Sequence, residues 1–240
     1  MTTSPLPVNI VTFFVDLGQR PGGFSEYEVL SCMVASARQS VPGARIIVLT
    51  DRLTAFPEGL AIDEVMRFDI PRERLMLCRM QAQRAYLASG NYDAASAFVD
   101  TDIVFNQPLD EVFATPFEVG LTYRMDGFCR IEGKVINIPI NGGVMFFQPD
   151  RRGPALAYYK RALDAHLVQP EKYFAWGGNQ IALLDAVGRD AFFLQQTAIL
   201  NRPDSRPDLA KISCPTLVLC GRQDALTGVE LQEEMAAGID

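Results

Sequence analysis

The strongest constraint on the fold is an alternation of short apolar runs with helix-type patterns along most of the chain. Apolar, β-branched runs of strand length occupy residues 8–15 and 45–50, and the segments 25–39 and 72–88 carry apolar residues three or four apart. Strands that alternate with helices form sheets in which most strands are parallel, because each helix carries the chain back across the sheet. The sequence therefore predicts an α/β fold with a mixed, mostly parallel sheet flanked by helices.

The same alternation continues to about residue 200. Ser25 and Glu28 predict a capping box at the start of the first helix. Ligands bind beyond the carboxyl ends of the strands in such sheets, and Asp51, Asp100 and Asp102 follow predicted strands. We therefore expect the chemistry at that edge. Further strands are predicted at 65–69, 97–99, 103–105, 118–123, 142–147 and 192–194, and further helices at 154–167 and 179–187.

Composition narrows the class of protein. The chain has 240 residues and a formal charge of -7, and an acidic surface disfavours general nucleic-acid binding. No apolar run approaches the roughly 20 residues that cross a bilayer, and the amino terminus lacks the basic region of a signal peptide. The five cysteines include no Cys-x-x-Cys pair, which favours reduced thiols. These features predict a cytoplasmic protein without a transmembrane segment.

The chain contains a single histidine, His166. A metal site built from several histidines is therefore impossible within one chain. His166 falls in the helix predicted at 154–167, and we expect it on the surface of that helix rather than at a metal.

Asp100-Thr101-Asp102 is the first motif that could carry chemistry. On extended backbone, carboxylates two residues apart project to the same side. Beyond a strand end they can hold one hard cation, and Mg²⁺ or Mn²⁺ suits such oxygen ligands. The alternative is a solvated strand end with two surface acids. The apolar strands predicted directly before and after the motif favour the metal site, where the ion could neutralise a departing pyrophosphate.

Three further features lie where a ligand could bind. Asn141-Gly142-Gly143 opens a predicted strand, and its glycines permit either a close approach of backbone or a bulge. Asn179 and Gln180 begin a predicted helix; they could contact sugar hydroxyls, with Trp176 as an apolar platform, or Asn179 could be an N-cap. Arg79 could bind a phosphate through its guanidinium or lie on a solvated basic helix face.

Taken in order, these segments resemble the GT-A glycosyltransferases, which use nucleotide-diphosphate sugars as donors. The resemblance covers about residues 8–201 and rests on VNIVTFFVD, RIIVLTD, the helix with Arg79, FVDTDIVF, NGGVMFF and GGNQIALLD. It implies a GT-A-like, Rossmann-type sheet. It also implies a nucleotide-diphosphate sugar as donor, in the first place a UDP-sugar, and a glycan or another hydroxyl compound as acceptor.

The resemblance implies roles for individual residues. Asp100 and Asp102 would hold Mn²⁺ or Mg²⁺ and, with Thr101, the donor. A general base is not assigned, and Asp126 and Asp150 are both open. Thr12, Phe13 and Asp51 would face the nucleoside, Arg79 would face the donor phosphates or sugar, and Asn141, Gly142, Gly143, Trp176, Asn179 and Gln180 would line the cleft between donor and acceptor.

The chain departs from the family at two places. Asn179 stands where many members carry an acidic residue, which removes the carboxylate that a base or nucleophile role would need. The carboxyl-terminal region also lacks the histidine that many members use as a further metal ligand. Without it, Asp100, Asp102, water and pyrophosphate would have to complete the shell of the metal.

Residues 202–240 have a different character. NRPDSRPD marks a linker or turn, and the segment from about Asp208 resembles the late strand, loop and helix of an α/β-hydrolase, in which Asp224 would be the triad acid. The chain has no Gly-x-Ser-x-Gly and no histidine after Asp224, so hydrolase activity is disfavoured. The sequence predicts a domain at 1–201 and a strand–turn–helix appendage at 202–240, whose apolar strand at 216–220 could promote oligomerisation.

Two functions stay open from the sequence. The first is a metal-dependent glycosyltransferase that moves a sugar from a nucleotide-diphosphate donor to an acceptor hydroxyl. The second is a catalytically inactive relative or fusion remnant that still binds a nucleotide sugar, which the missing histidine and the appended segment favour. Turnover in excess Mn²⁺ distinguishes them.

Overall fold

A computed structural model describes residues 7–18, 25–123, 140–171, 174, 178–188, 206–212, 216, 218 and 229–239, and the backbone of 128–131 and 134–137. The chain divides into two compact units, Met1–Gly188 and Arg189–Asp240. The domain boundary predicted after residue 201, the strand predicted at 192–194 and the acid Asp224 lie outside the described residues, as does most of the strand predicted at 216–220.

Strands and helices alternate along the described part of the first unit. Short 3₁₀ turns, Arg72–Arg74 and Pro149–Arg151, precede the second and fourth helices. The strands are β1 (Val8–Phe13), β2 (Arg45–Asp51), β3 (Glu64–Phe68), β4 (Ala95–Val99), β5 (Gly120–Tyr123), β6 (Phe128–Ile131), β7 (Lys134–Asn137) and β8 (Ile140–Phe147), and the helices are α1 (Glu26–Ser40), α2 (Leu75–Ala88), α3 (Asp110–Ala114), α4 (Arg152–Leu167) and α5 (Gly178–Val187).

Six of these strands form one sheet in the order β3-β2-β1-β4-β8-β5. Strands β3, β2, β1 and β4 are parallel, and β8 runs antiparallel to both β4 and β5. Strands β6 and β7 pair separately as an antiparallel hairpin. The predicted fold class, a mixed and mostly parallel sheet flanked by helices, is confirmed.

The sheet is buried on both faces, which explains the continuous apolar runs of its central strands. Val11 and Leu49 pack on one face against residues of α2, α4 and α5. Ile10 and Val48 point to the other face and pack against α1. Because helices cover both faces, a ligand can approach these central strands only at their ends.

The capping box predicted for α1 is confirmed. The Tyr27 amide donates to Ser25 Oγ at 3.2 Å, and the Ser25 amide donates to Glu28 Oε2 at 2.7 Å. These bonds satisfy backbone donors that a helix start otherwise leaves without acceptors.

The strand predicted at 103–105 is wrong. The chain turns directly after β4, with the Ile103 amide 3.4 Å from the Asp100 carbonyl oxygen. The place beside β4 is filled by β8, so this apolar segment has no strand to pair with and Phe105 packs into the core on the α1 side. The other strands and helices predicted within the described part of the first unit coincide with observed elements, apart from small shifts at their ends.

The surface position predicted for His166 is also wrong. His166 is fully buried in α4, and its ring stacks on Phe174 with 5.3 Å between centroids. It follows the buried Ala162 by four positions and the buried Tyr159 by seven, so it shares their face of the helix. Burial lowers the pKa of its imidazole, against an opposing effect of the Gly178 backbone.

The second unit contains a 3₁₀ turn, Arg206–Lys211, and a helix, α6 (Val229–Ala237). The Arg206 guanidinium lies 3.3 Å from the Glu234 carboxylate. The helix of the predicted appendage is therefore observed. Within the part of the chain that the structure describes, no helix is long and apolar enough to cross a membrane.

Candidate functional site

The strand order places a crevice between β1 and β4. After β1, the chain passes through α1 to β2, which lies next to β1 on one side. Strand β4, which follows α2, lies next to β1 on the other side. The carboxyl ends of two strands whose connections diverge leave an opening that ligands use in open α/β sheets. The two strands are joined at this point, because Thr12 Oγ1 donates to the Val99 carbonyl oxygen at 2.9 Å.

A cleft of about 320 Å³ opens at these strand ends. Apolar side chains from β1 and α2 form part of its wall, and the segment after β4 brings two carboxylates to it. The residues that line it include Phe13, Phe14, Val15, Arg79, Asp100 and Asp102.

Asp100 is clamped on one side by a nearly buried arginine. Arg79 Nη2 lies 2.6 Å from Asp100 Oδ1 and donates to the Gly142 carbonyl oxygen at 3.0 Å. The side chain of Arg79 is 11% exposed and that of Asp100 is 38% exposed. The Asp100 amide in turn donates to the Gly143 carbonyl oxygen at 2.7 Å. One guanidinium and one strand therefore fix the direction of this carboxylate.

Asp102 has the opposite environment. It is exposed at the same cleft, and no described residue donates a hydrogen bond to its carboxylate or forms an ion pair with it. The motif that the sequence presents as two equivalent acids thus contains one held carboxylate and one that is open to a ligand.

The glycines of Asn141-Gly142-Gly143 are required by packing. A Cβ at Gly143 would lie 2.5 Å from Asp100 Oδ2, and one at Gly142 would lie 2.9 Å from Leu183 Cδ1 of α5. The pairing of β5 with β8 also shifts register here, between Leu121 and Thr122. Close approach and an irregular strand, which the sequence left as alternatives, therefore both occur.

Asn179 and Gln180, the predicted site residues of α5, lie at the start of the helix, near Gly142. The helix begins at Gly178, so Asn179 lies in its first turn rather than in the capping position, and it is 5% exposed. A Cβ on Gly142 would lie 3.7 Å from Asn179 Nδ2, which places this amide beside β8. Gln180 is half-buried, and Trp176 lies outside the described residues.

Two residues predicted to face the nucleoside bond elsewhere. Thr12 is buried and bound to Val99, as above. Asp51 Oδ1 accepts from the amides of Leu53 at 3.2 Å and Thr54 at 2.7 Å. Burial alone would raise the pKa of Asp51, but hydrogen bonds from Thr54 and Leu53, together with the charge of Arg67, lower that pKa. The contacts of Thr12 and Asp51 with a nucleoside stay predictions, whereas Phe13 does line the cleft.

Asp150, one of the two carboxylates left open as a general base, lies far from the cleft. Because β8 is antiparallel to β4, the end of β8 lies beside the beginning of β4, with Phe147 opposite Ser96. Asp150 follows that end, at the edge of the sheet opposite the cleft. Asp126 lies outside the described residues.

The chain is similar to solved structures but not to known sequences. No protein-family model matches the chain, and no curated protein matches its sequence. Among solved structures, the chain is similar to an apo structure of WbbM, a bifunctional glycosyltransferase, with a TM-score of 0.48 and 11% identity. The match covers 75% of this chain and 37% of that one, so the chain spans well under half the length of that structure.

Proposed function

We propose that this chain binds a nucleotide-diphosphate sugar, in the first place a UDP-sugar, in the cleft between β1 and β4 and transfers the sugar to an acceptor hydroxyl. The observation that carries the proposal is the arrangement after β4. A carboxylate held by a nearly buried arginine lies two residues from an open carboxylate, at the edge where α/β sheets bind nucleotides.

Arg79 is suited to a diphosphate. A guanidinium has five N–H donors, and the contacts within the described residues use only Nη2, for Asp100 and Gly142. Its Nη1 and Nε groups remain for phosphate oxygens at the cleft wall. Because Asp100 and Gly142 fix the side chain, little rotamer freedom is lost when a ligand binds.

The carboxylates fit Mg²⁺ or Mn²⁺ as a proposed cofactor. Asp102 offers both oxygens, and Asp100 keeps Oδ2 beside the Oδ1 that Arg79 contacts. Among the described residues, no three His, Cys, Asp or Glu side chains are arranged to hold one metal ion, so water and the diphosphate would complete the shell. We assign Asp102 as the direct ligand. When bound, the metal would supply Lewis-acid neutralisation of the leaving diphosphate.

The remaining residues bind and orient the sugar. Gln180 is half-buried at the start of α5 and carries an amide that can donate to and accept from hydroxyls. Leu183 and Asn179 of α5 pack closely on Gly142 of β8, so the end of the helix that carries Gln180 lies against the sheet.

The experiment is a measurement of UDP release from a panel of UDP-sugars with Mn²⁺, using the full chain. We expect Asp100→Ala and Asp102→Ala to abolish release. Asp164→Ala is the matched control, because Asp164 is an exposed acid of α4 that pairs with Lys160 within the helix. Activity retained in both Asp100→Ala and Asp102→Ala would overturn the proposal.

A further inference from the structure

In the described part of the loop after β1, Asp16 bonds to two neighbouring segments. The Asp16 amide donates to Thr54 Oγ1 at 2.9 Å, and its carbonyl oxygen accepts from Arg72 Nη2 at 3.2 Å. Thr54 belongs to the loop after β2, and Arg72 begins the 3₁₀ turn before α2. The backbone of Asp16 therefore bonds both to the loop after β2 and to the turn before α2.

The carboxylate of Asp16 makes two further bonds. Oδ1 accepts from the Gly18 amide at 2.8 Å, which closes the loop locally, and Oδ2 accepts from the Tyr27 hydroxyl at 3.1 Å. The same hydroxyl lies 2.8 Å from the Ala55 carbonyl oxygen, so its single proton is shared between two acceptors. Tyr27 is thereby held between the loops after β1 and β2.

The bonds of Asp16 lie next to the cleft. Phe14 and Val15, directly before Asp16, line the cleft, and Phe14 packs on the Tyr27 ring with 4.9 Å between centroids. Thr54 also donates its amide to Asp51, so a chain of polar contacts runs from the end of β2 through Thr54 to Asp16. Asp16 itself is not among the residues that form the cleft wall.

We propose that Asp16 is a positioning residue of the cleft: its carboxylate holds Phe14 and Val15 in place through its bonds to Gly18 and Tyr27. A loop that is already ordered loses less conformational entropy when a ligand binds, so the loss of these bonds weakens binding. The inference rests on the proposed function for the identity of the ligand, a nucleotide diphosphate.

The charge of Asp16 makes the test specific. A carboxylate near the cleft repels a diphosphate, so removal of the charge alone would strengthen binding. Asp16→Asn removes the charge but keeps an oxygen acceptor for Gly18, whereas Asp16→Ala removes the charge and both bonds. A positioning role therefore predicts that only Asp16→Ala binds the diphosphate more weakly. The loss of charge alone would make both variants bind it more tightly.

The experiment measures two quantities on the full chain. Hydrogen exchange of peptides that cover residues 13–18 is measured without ligand, and UDP affinity is measured with Mn²⁺ by calorimetry. We expect faster exchange and about tenfold weaker UDP binding for Asp16→Ala, with Asp16→Asn within about twofold of the wild type or tighter. Ser40→Ala, which removes the bond to the Phe105 carbonyl oxygen from the other end of α1, is the control.

Each outcome decides between the two proposals. Unchanged exchange in Asp16→Ala, or unchanged UDP affinity, overturns the positioning role. If the wild type does not bind UDP, the proposed donor is contradicted, while exchange still decides whether Asp16 holds the loop. If Asp16→Ala does not fold, Tyr27→Phe replaces it, because this variant keeps the ring contact with Phe14 and is expected to speed exchange in the same peptides.

Discussion

The Arg79 guanidinium lies 2.6 Å from the Asp100 carboxylate, and the same nitrogen donates to the Gly142 carbonyl oxygen. This contact joins α2, the end of β4 and the start of β8 at one point. The elements are far apart in sequence, so the joint exists only in the folded chain. Stability and ligand binding are therefore both expected to depend on it.

Replacement of Arg79 by alanine leaves Asp100 and the Gly142 carbonyl without their shared donor. We expect the free energy of unfolding to fall by about 1–3 kcal/mol, less than for a fully buried pair because Asp100 is partly solvated. Urea denaturation measures this. Arg79→Lys should recover only part of the loss, since an ammonium lacks the planar fork. An unchanged unfolding midpoint in Arg79→Ala would show that the contact of Arg79 with Asp100 and Gly142 does not stabilise the fold.

Gly143→Ala should displace the Asp100 carboxylate, because the new methyl group would lie 2.5 Å from Oδ2. We expect a loss of about 1–3 kcal/mol in stability and loss of UDP binding. Gly142→Ala should be milder, since its methyl group would meet the movable end of Leu183. Gly153→Ala is the control, because a Cβ there meets nothing within 4 Å. Equal thermal unfolding and equal UDP binding for Gly143→Ala and Gly153→Ala would refute this account of the glycine.

His166 should make stability depend on pH in one direction. Its pKa is lowered in the folded chain, so the unfolded chain binds its proton more readily. The contribution is full above the ordinary pKa of 6.5 and is lost as the pH falls below it toward the lowered folded value. Urea midpoints at about pH 5 and about pH 8 should differ less in His166→Leu than in the wild type. An equal difference in both proteins would show that His166 does not titrate on unfolding.

Asp150 should be dispensable for turnover. It follows β8 at the edge of the sheet opposite the cleft, and its side chain is 65% exposed beside Arg151. Asp150→Ala is therefore expected to release UDP from the donor at the wild-type rate in the same assay. A large fall in rate with unchanged stability would mean that the reacting groups are not at the cleft between β1 and β4.

Most strands of the sheet could be predicted because local sequence patterns indicate them. Strands β1 and β2 are covered by helices on both faces, which produces continuous apolar runs, and the capping box at Ser25 depends on four neighbouring residues. The apolar run at 103–105 has the same composition as a strand. Whether it pairs depends on which strand takes the place beside β4, and that is decided by residues far along the chain.

The sequence places Asp51 and Asp100 at the ends of strands, as the structure does. The contacts of their carboxylates could not be predicted, because they depend on loops and helices whose course no local pattern sets. Asp51 bonds to the amides of its own loop, whereas Asp100 is bound by an arginine from α2. The burial of His166 could have been predicted, because its spacing from Tyr159 and Ala162 places all three on one helix face.

The most direct test of the central claim is a thermal-shift titration of the full chain with nucleotide diphosphates, with and without Mn²⁺. A ligand at about 100 times its Kd stabilises the folded state by about 2.7 kcal/mol, or a few degrees for a domain of this size. The account predicts a shift with UDP that requires Mn²⁺ and disappears in Asp102→Ala. No shift with any nucleotide diphosphate, with or without metal, would contradict it.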